Sequence, residues 1–158
     1  RAAAGPLDSN LYKLEAQAAK HGWFTGHERD SGYGVEYTPG PNIGDRLGAA
    51  ITILGNRRAE MDRLLRLFAG LKTADAEMIA TLYAAWNDFL VDGKQSTDQQ
   101  ITEEVLTNWH VQKQKFSAEQ WRAKLDWMRL NGLVPRGTQP RTKTAPPPKK
   151  RTKKRAKA

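Results

Sequence analysis

The stretch from Thr73 to Pro135 constrains the fold most, because three apolar stripes with helical spacing follow one another along it. Residues three and four apart lie on one face of a helix. In chain order the stripes are Ile79, Leu82, Tyr83, Trp86 and Phe89; Ile101, Val105 and Trp109; and Trp121, Leu125 and Met128. The spacing predicts three consecutive helices, and the apolar residues after Gly132 predict the start of a short strand.

Cap residues mark where these helices begin and end. Ser96-Thr97-Asp98-Gln99 and Ser117-Ala118-Glu119-Gln120 both predict capping boxes. Gly132 is a natural left-handed helix stop, and Pro135 prevents the helix from resuming. A long helix, a short helix, a capped helix and a Gly-Leu-Val step are together typical of a winged-helix or helix-turn-helix module, which we expect over residues 72–136.

The residues before this stretch predict an α-β-β-β-α unit over 7–71. A helix with Leu11, Leu14 and Ala18 on one face precedes three predicted strands, at Trp23–Arg29, Tyr33–Tyr37 and Leu47–Leu54. A second helix is expected from Asn56 to Gly70. The predicted fold class is therefore α+β: a small three-stranded antiparallel sheet with two helices, then a three-helix winged-helix-like unit.

Charge is concentrated at the C-terminal end. Residues 136–158 contain ten Lys and Arg and no Asp or Glu, whereas residues 1–135 contain 16 basic and 17 acidic residues. A Pro- and Lys-rich sequence of this kind cannot bury enough apolar surface to order itself, so 137–158 is predicted to be a disordered basic tail. Electrostatic attachment to a polyanion is then a property of the tail.

Amino-acid composition excludes several classes of protein and of binding site. The absence of cysteine excludes disulfides and thiolate metal sites, and no apolar run approaches the ~18 residues that a membrane span needs. The chain begins with arginine, and we interpret it as a piece of a longer protein. We expect a cytoplasmic, nucleoid-associated protein with no membrane partner.

Catalytic chemistry has little support in the sequence. His21, His27 and His110 have no metal-ligand spacing to one another, and His27-Glu28 with Asp30 is more simply a solvated hairpin tip. No glycine-rich phosphate loop is present. The sequence therefore predicts no catalytic residue, no cofactor and no metal.

Nucleic-acid contact is predicted from the third helix of the 72–136 unit and from the tail. In a winged helix that third helix would enter the major groove, although Arg122 and Asp126 are also spaced for a simple salt bridge within the helix. The candidate nucleic-acid-binding residues are Lys113, Lys115, Arg122, Lys124, Arg129, Arg136, Lys149, Lys150, Arg151, Lys153, Lys154 and Arg155.

A protein partner is the alternative reading of the same helix. Trp127 lies off the Trp121–Leu125–Met128 stripe and close to Leu130. A helix that is apolar on two sides is either sandwiched or docks something. Trp127 and Leu130 are therefore the candidate partner-binding residues.

Two resemblances bear on function. Tyr83–Lys94, Asn108-Trp109-His110, Trp127-Met128 and Gly132–Pro135 resemble accessory C-terminal segments of large bacterial DNA-restriction and phage-defence proteins, over residues 73–137. No catalytic motif of those families matches. The element order of 8–71 is similar to double-stranded-RNA-binding domains, with Arg57 and Arg58 present but that family's lysine cluster missing.

Taken together, the sequence predicts a non-catalytic, DNA-binding accessory module of a larger DNA-processing assembly. The tail would give sequence-independent affinity for phosphates, and the third helix would give orientation. The alternatives are a docking module for a larger protein subunit and an RNA-binding component of a ribonucleoprotein.

Overall fold

The computed structural model describes residues 10–30 and 34–142, and these residues are mostly helical. They form six α-helices, two short 3-10 turns and one antiparallel pair of strands. In chain order the elements are α1 (Asn10–Lys20), β1 (Phe24–Glu28), β2 (Val35–Pro39), α2 (Ile43–Leu54), a 3-10 turn (Gly55–Arg57), α3 (Arg58–Ala69), α4 (Thr73–Val91), α5 (Asp98–Asn108), a second 3-10 turn (Val111–Lys115) and α6 (Ala118–Leu130).

The chain divides into two compact units at the junction between Lys72 and Thr73. The first, the N-terminal unit, contains α1, the two strands, α2 and α3. The second, the helical unit, contains α4, α5 and α6 and the segment that follows them. None of the helices among residues 10–30 and 34–142 is both long and apolar enough to cross a membrane.

The strands of the N-terminal unit form a hairpin against α1. β1 and β2 are antiparallel, with Phe24 opposite Pro39 and Gly26 opposite Tyr37. Phe24 meets Tyr37 edge to face, and the Tyr37 hydroxyl donates a hydrogen bond to Glu15 of α1. The hairpin predicted from the sequence is present, although β1 is shorter than the predicted Trp23–Arg29 and β2 lies two residues after the predicted Tyr33–Tyr37.

The predicted third strand is wrong. Leu47–Leu54 belongs to the helix α2, so the sheet has two strands and the α+β class with a three-stranded sheet is incorrect. Ile51 and Ile53 suggested a strand because they alternate and are β-branched. Ile43, Leu47, Ile51 and Leu54 have helical spacing at the same time, and a short apolar run can satisfy both periods.

The helical unit has a well-buried core. α4, α5 and α6 pack on one another, and Trp121 from α6 is fully buried between them, with Phe116 edge-on at 5.6 Å between ring centroids. The other buried apolar side chains are Met78, Ile79, Leu82, Ala85, Ile101, Val105, Trp109, Leu125, Met128 and Leu133. Most residues of the three predicted stripes are among them.

Capping boxes begin α5 and α6. At α6, the Ser117 hydroxyl accepts from the Gln120 backbone N–H and the Gln120 side chain accepts from the Ser117 N–H, as predicted. At α5 the box uses Thr97 and Gln100, one residue later than the predicted pair. Both boxes satisfy backbone N–H groups that a helix start leaves without partners.

The predicted wing is absent. Gly132 has φ +66° and ends α6 as expected, but residues 133–142 contain no strand. The side chain of Leu133 is buried, and its N–H donates to the Met128 carbonyl at 2.8 Å, so the chain folds back onto the helix end. The winged-helix description is therefore wrong, because the apolar residues after the glycine complete a helical core and pair with no strand.

Candidate nucleic-acid interface

The first two predicted phosphate-binding lysines face an acidic side chain of α4. Lys113 is fully buried, and its Nζ lies 2.6 Å from Glu77 Oε1. Lys115 Nζ lies 3.7 Å from the other oxygen of Glu77 and 4.8 Å from the Phe116 ring centroid. A buried ammonium needs such a partner to offset its desolvation. Lys113 therefore ties the second 3-10 turn to α4 and is out of reach of a phosphate.

Two basic residues of α6 have similar partners. Lys124 Nζ lies 2.6 Å from Asp75 Oδ1 at the start of α4. The Arg129 guanidinium donates to both carboxylate oxygens of Asp98 at the start of α5 and lies 5.1 Å from the Trp86 ring centroid. These two side chains connect α6 to the first turns of α4 and α5, where helix dipoles also favour acidic residues.

The contact between Asp98 and Arg129 shifts the pKa of both side chains. The hydrogen bonds from Arg129 hold the pKa of Asp98 below its usual value, with the charge of Arg122 adding to the effect. The same hydrogen bonds raise the pKa of Arg129. The carboxylate is therefore held in its ionised form as part of the contact between α5 and α6.

Arg122 and Arg136 are placed differently. Both are exposed, and among the described residues no carboxylate lies within ion-pair distance of either. The tail candidates Lys149, Lys150, Arg151, Lys153, Lys154 and Arg155 lie outside the described residues. Of the twelve predicted nucleic-acid-binding side chains, these two are the ones that the described structure leaves open to an anion.

The charge of the helical unit opposes a phosphate-binding face on its body. Residues 73–135 contain six Lys and Arg against nine Asp and Glu, a net charge of −3. Four of the six basic side chains already have acidic partners. The excess positive charge of the chain lies after Pro135, where residues 136–158 contain ten Lys and Arg and no Asp or Glu.

The segment that leads into the basic sequence is attached to α4. We call residues 133–142 the strap. The buried side chain of Asn87 donates to the Gln139 carbonyl at 3.0 Å, and the buried carboxylate of Asp88 accepts from the Thr142 N–H at 2.8 Å. Arg141 lies 3.0 Å from Asp92. These three contacts fix residues 139–142 along the last turns of α4.

A glycine lets the strap approach α4 closely. Gly137 has φ +69°, and a Cβ built there would lie 2.9 Å from the Cβ of Leu90. A side chain at this position would combine a left-handed backbone with a clash. The position where the basic sequence starts is thus set by α4.

Asn87, Asp88 and Asp92 were missed as site residues in the sequence. A signal was available, because Asn87 and Asp88 interrupt an apolar run between Trp86 and Phe89. Buried polar side chains need partners, but the sequence could not show that the partner is the strap.

The partner-binding candidates differ in exposure. Leu130, at the end of α6, is 87% exposed. Trp127 is half-buried, and its carbonyl accepts from the N–H and the side-chain amide of Asn131. Leu130 is the member of this pair that a partner could contact directly.

Each of the three histidines contacts a residue close to it in the sequence. His21 stacks on Trp23 at 5.0 Å between ring centroids, and His110 Nδ1 accepts from the Gln112 N–H. His27 lies in β1, within 3.4 Å of the Thr25 hydroxyl. Over the described ranges, no group of three or more His, Asp and Glu side chains is arranged to hold a metal ion.

The ionised state of Asp98 should support the stability of the helical unit. Its lowered pKa means that the contribution is complete above the unfolded-state pKa of about 4 and is lost as pH falls through the folded-state value. We expect Asp98→Asn to be less stable than the wild type at neutral pH, with the difference shrinking below about pH 4. Urea unfolding followed by tryptophan fluorescence across a pH series measures this.

The matched control is Glu119→Gln, which removes an exposed carboxylate from the first turn of α6. Its stability difference from the wild type should stay small. An Asp98→Asn difference that stays constant into acid would contradict the role given to the Arg129 contact.

Loss of Asp88 should release the strap. Asp88→Ala leaves the Thr142 N–H without its acceptor, at a cost of roughly 1–3 kcal/mol in local stability. Trypsin should then cleave after Arg136 and Arg141 about tenfold faster or more, since ~1.4 kcal/mol corresponds to a factor of ten. Timed digestion with mass spectrometry resolves these bonds from the sites beyond residue 142.

Asp92→Ala serves as the control, because it removes a more exposed ion pair to the same strap. It should accelerate cleavage much less. Equal rates for the wild type and Asp88→Ala would show that this hydrogen bond does not hold the strap.

Comparison with known proteins identifies no family for this chain. No protein-family model matches the chain, and neither the curated proteins nor the solved structures contain a significant match.

Proposed function

We propose that this chain is a non-catalytic accessory module that binds DNA through the phosphates, with the basic sequence after the strap supplying the affinity. The observation that supports the proposal most is the separation of charge. Residues 73–135 carry a net charge of −3, whereas residues 136–158 contain ten basic and no acidic residues. Contacts of this kind neutralise phosphates without reading bases.

The proposal gives α6 a smaller part than the sequence alone suggested. Lys113, Lys124 and Arg129 are engaged with acidic residues of α4 and α5. Opening these pairs to bind DNA would leave carboxylates without partners, at a cost in stability. Arg122 and Arg136 are the residues through which the body would add a secondary contact.

The strap gives this arrangement a defined geometry. Asn87 and Asp88 hold residues 139–142 against α4. The basic sequence that follows Thr142 therefore starts from a fixed point on that helix. The resemblance of residues 73–137 to segments of bacterial restriction and phage-defence proteins supports a larger DNA-processing assembly at the nucleoid. The module would hold that assembly on DNA while other parts perform the chemistry.

A chain that ends at Thr142 should lose most of its DNA affinity. It keeps the strap but lacks the eight basic residues that follow. We expect the intact chain to show a steep fall in affinity with salt, with a slope of about −0.9 for each phosphate neutralised. Fluorescence anisotropy with a short labelled duplex, across a salt series, measures both quantities.

The companion variant is Arg122→Glu with Arg136→Glu in the intact chain. It should weaken binding modestly and change the salt slope by no more than about two contacts. If the chain ending at Thr142 bound as tightly as the intact one, the affinity would reside in the body and the proposal would be wrong. Tighter binding of an RNA duplex would favour the ribonucleoprotein alternative.

Docking to a larger protein subunit is a second candidate function, favoured by the exposure of Leu130. A leucine that is 87% exposed at a helix end, next to a half-buried Trp127, is suited to fill a pocket on a partner.

Leu130→Asp should abolish recovery of a protein partner in a pull-down and leave DNA anisotropy unchanged. The matched control is Ala123→Asp, at an exposed position on the same helix. Gln120→Asp would not serve, because Gln120 caps α6. Recovery of the same partner with Leu130→Asp would exclude docking through this residue.

A further inference from the structure

The chain passes from α6 into the strap through an asparagine followed by a glycine, Asn131-Gly132. The sequence contains six asparagines, and Asn131 is the one that glycine follows. An asparagine in this position is prone to spontaneous loss of its side-chain amide, because glycine has no side chain to obstruct its own backbone nitrogen. Asparagine is for this reason among the residues that limit protein lifetime at high temperature.

This reaction needs no enzyme and no co-reactant except water. The backbone nitrogen of Gly132 forms a bond to Cγ of Asn131, and the Cγ–Nδ2 bond breaks. The proton of the backbone nitrogen leaves with Nδ2 as ammonia, and a cyclic succinimide remains. Attack within one chain is fast where the two reacting atoms are neighbours. Water then opens the ring to an aspartate or to an isoaspartate, whose backbone runs through the former side chain.

The folded end of α6 holds both reacting groups in hydrogen bonds. The Gly132 N–H donates to the Arg129 carbonyl at 3.0 Å, and Asn131 Nδ2 donates to the Trp127 carbonyl at 2.8 Å. The backbone nitrogen has to lose its proton and move onto Cγ, so both hydrogen bonds break before the ring closes. The reaction is therefore confined to the times when this helix end is open, and such local opening costs less than global unfolding.

Leu133 keeps the end of α6 closed. Gly132 has φ +66° and turns the chain back, so that the Leu133 side chain is only 8% exposed and its N–H donates to the Met128 carbonyl at 2.8 Å. Opening the helix end returns this apolar side chain to water, which is unfavourable. The burial of Leu133 therefore limits how often Asn131 can react.

We propose that Asn131 is a site of spontaneous deamidation whose rate is set by the opening of the end of α6. The product has a carboxylate that cannot donate to the Trp127 carbonyl. Its negative charge lies at the C-terminal end of a helix, where the last carbonyls disfavour an anion. An isoaspartate also lengthens the backbone just before Gly132 and displaces Leu133. Conversion is irreversible, and it weakens the closure that delayed it.

The test follows position 131 in the full chain during incubation at neutral pH. Trypsin releases residues 130–136 as one peptide, in which mass spectrometry after chromatography distinguishes asparagine, aspartate and isoaspartate. Digestion in heavy-oxygen water labels any conversion that happens during handling. We expect Asn131 to convert before the other five asparagines. Conversion should be roughly tenfold slower in the folded chain than in the chain unfolded by urea, since two ordinary hydrogen bonds have to open.

Leu133→Ala weakens the closure and leaves glycine after Asn131. It should speed conversion in the folded chain by about tenfold, because a buried leucine truncated to alanine costs far more than one hydrogen bond. Leu133→Val, a smaller truncation, should fall between Leu133→Ala and the wild type. Tryptophan fluorescence checks that the helical unit of each variant stays folded.

The matched control is Val134→Ala, at the next position, where the side chain is 44% exposed. It should convert at the wild-type rate. Equal rates in Leu133→Ala and Val134→Ala, or in the folded and the unfolded wild type, would overturn the proposal.

Asn131→Asp reproduces the charge of the product. It should unfold at a lower urea concentration than the wild type, and Asn131→Ala, which loses the donor without gaining a charge, should lie between the two. An Asn131→Asp chain as stable as the wild type would contradict the loosening assigned to the product.

Discussion

Burial of three apolar stripes around Trp121 is the constraint on which the helical unit depends. Each of α4, α5 and α6 brings one stripe, and none of the three could bury it alone. The capping boxes at Thr97 and Ser117 determine where two of the helices begin. The core therefore sets where the charged side chains at the helix ends can meet.

Those charged side chains serve the fold before any ligand. Lys113, Lys124 and Arg129 resemble a phosphate-binding set when they are read along one helix and its approach. In the structure each joins a carboxylate of α4 or α5. Asp88 and Asn87 extend the same use of polar groups to the strap, which brings the start of the basic sequence to the end of α4. α4 therefore supplies the acidic partners of Lys113 and Lys124 and also holds the strap.

The N-terminal unit, unlike the helical unit, buries few apolar side chains among its described residues. Its hairpin is held by a few contacts, such as Tyr37 with Phe24 and Glu15, and α2 and α3 keep apolar side chains such as Leu47 and Leu65 exposed. A two-stranded hairpin is marginal without further packing.

The sequence alone determined the features that depend on neighbouring residues. The start of α6 at Ser117, its stop at Gly132, the hairpin and the concentration of charge after Pro135 all follow from local spacing and composition. The class of Leu47–Leu54 did not, because a short apolar run fits both a strand and a helix until its neighbours in space are known. Only the tertiary structure decided that Lys113 is buried on Glu77, that Leu133 closes a core instead of starting a wing, and that Asp88 holds the strap. The Lys113–Glu77 and Asp88–Thr142 pairs join residues far apart in the chain, and the burial of Leu133 likewise depends on how the helices pack.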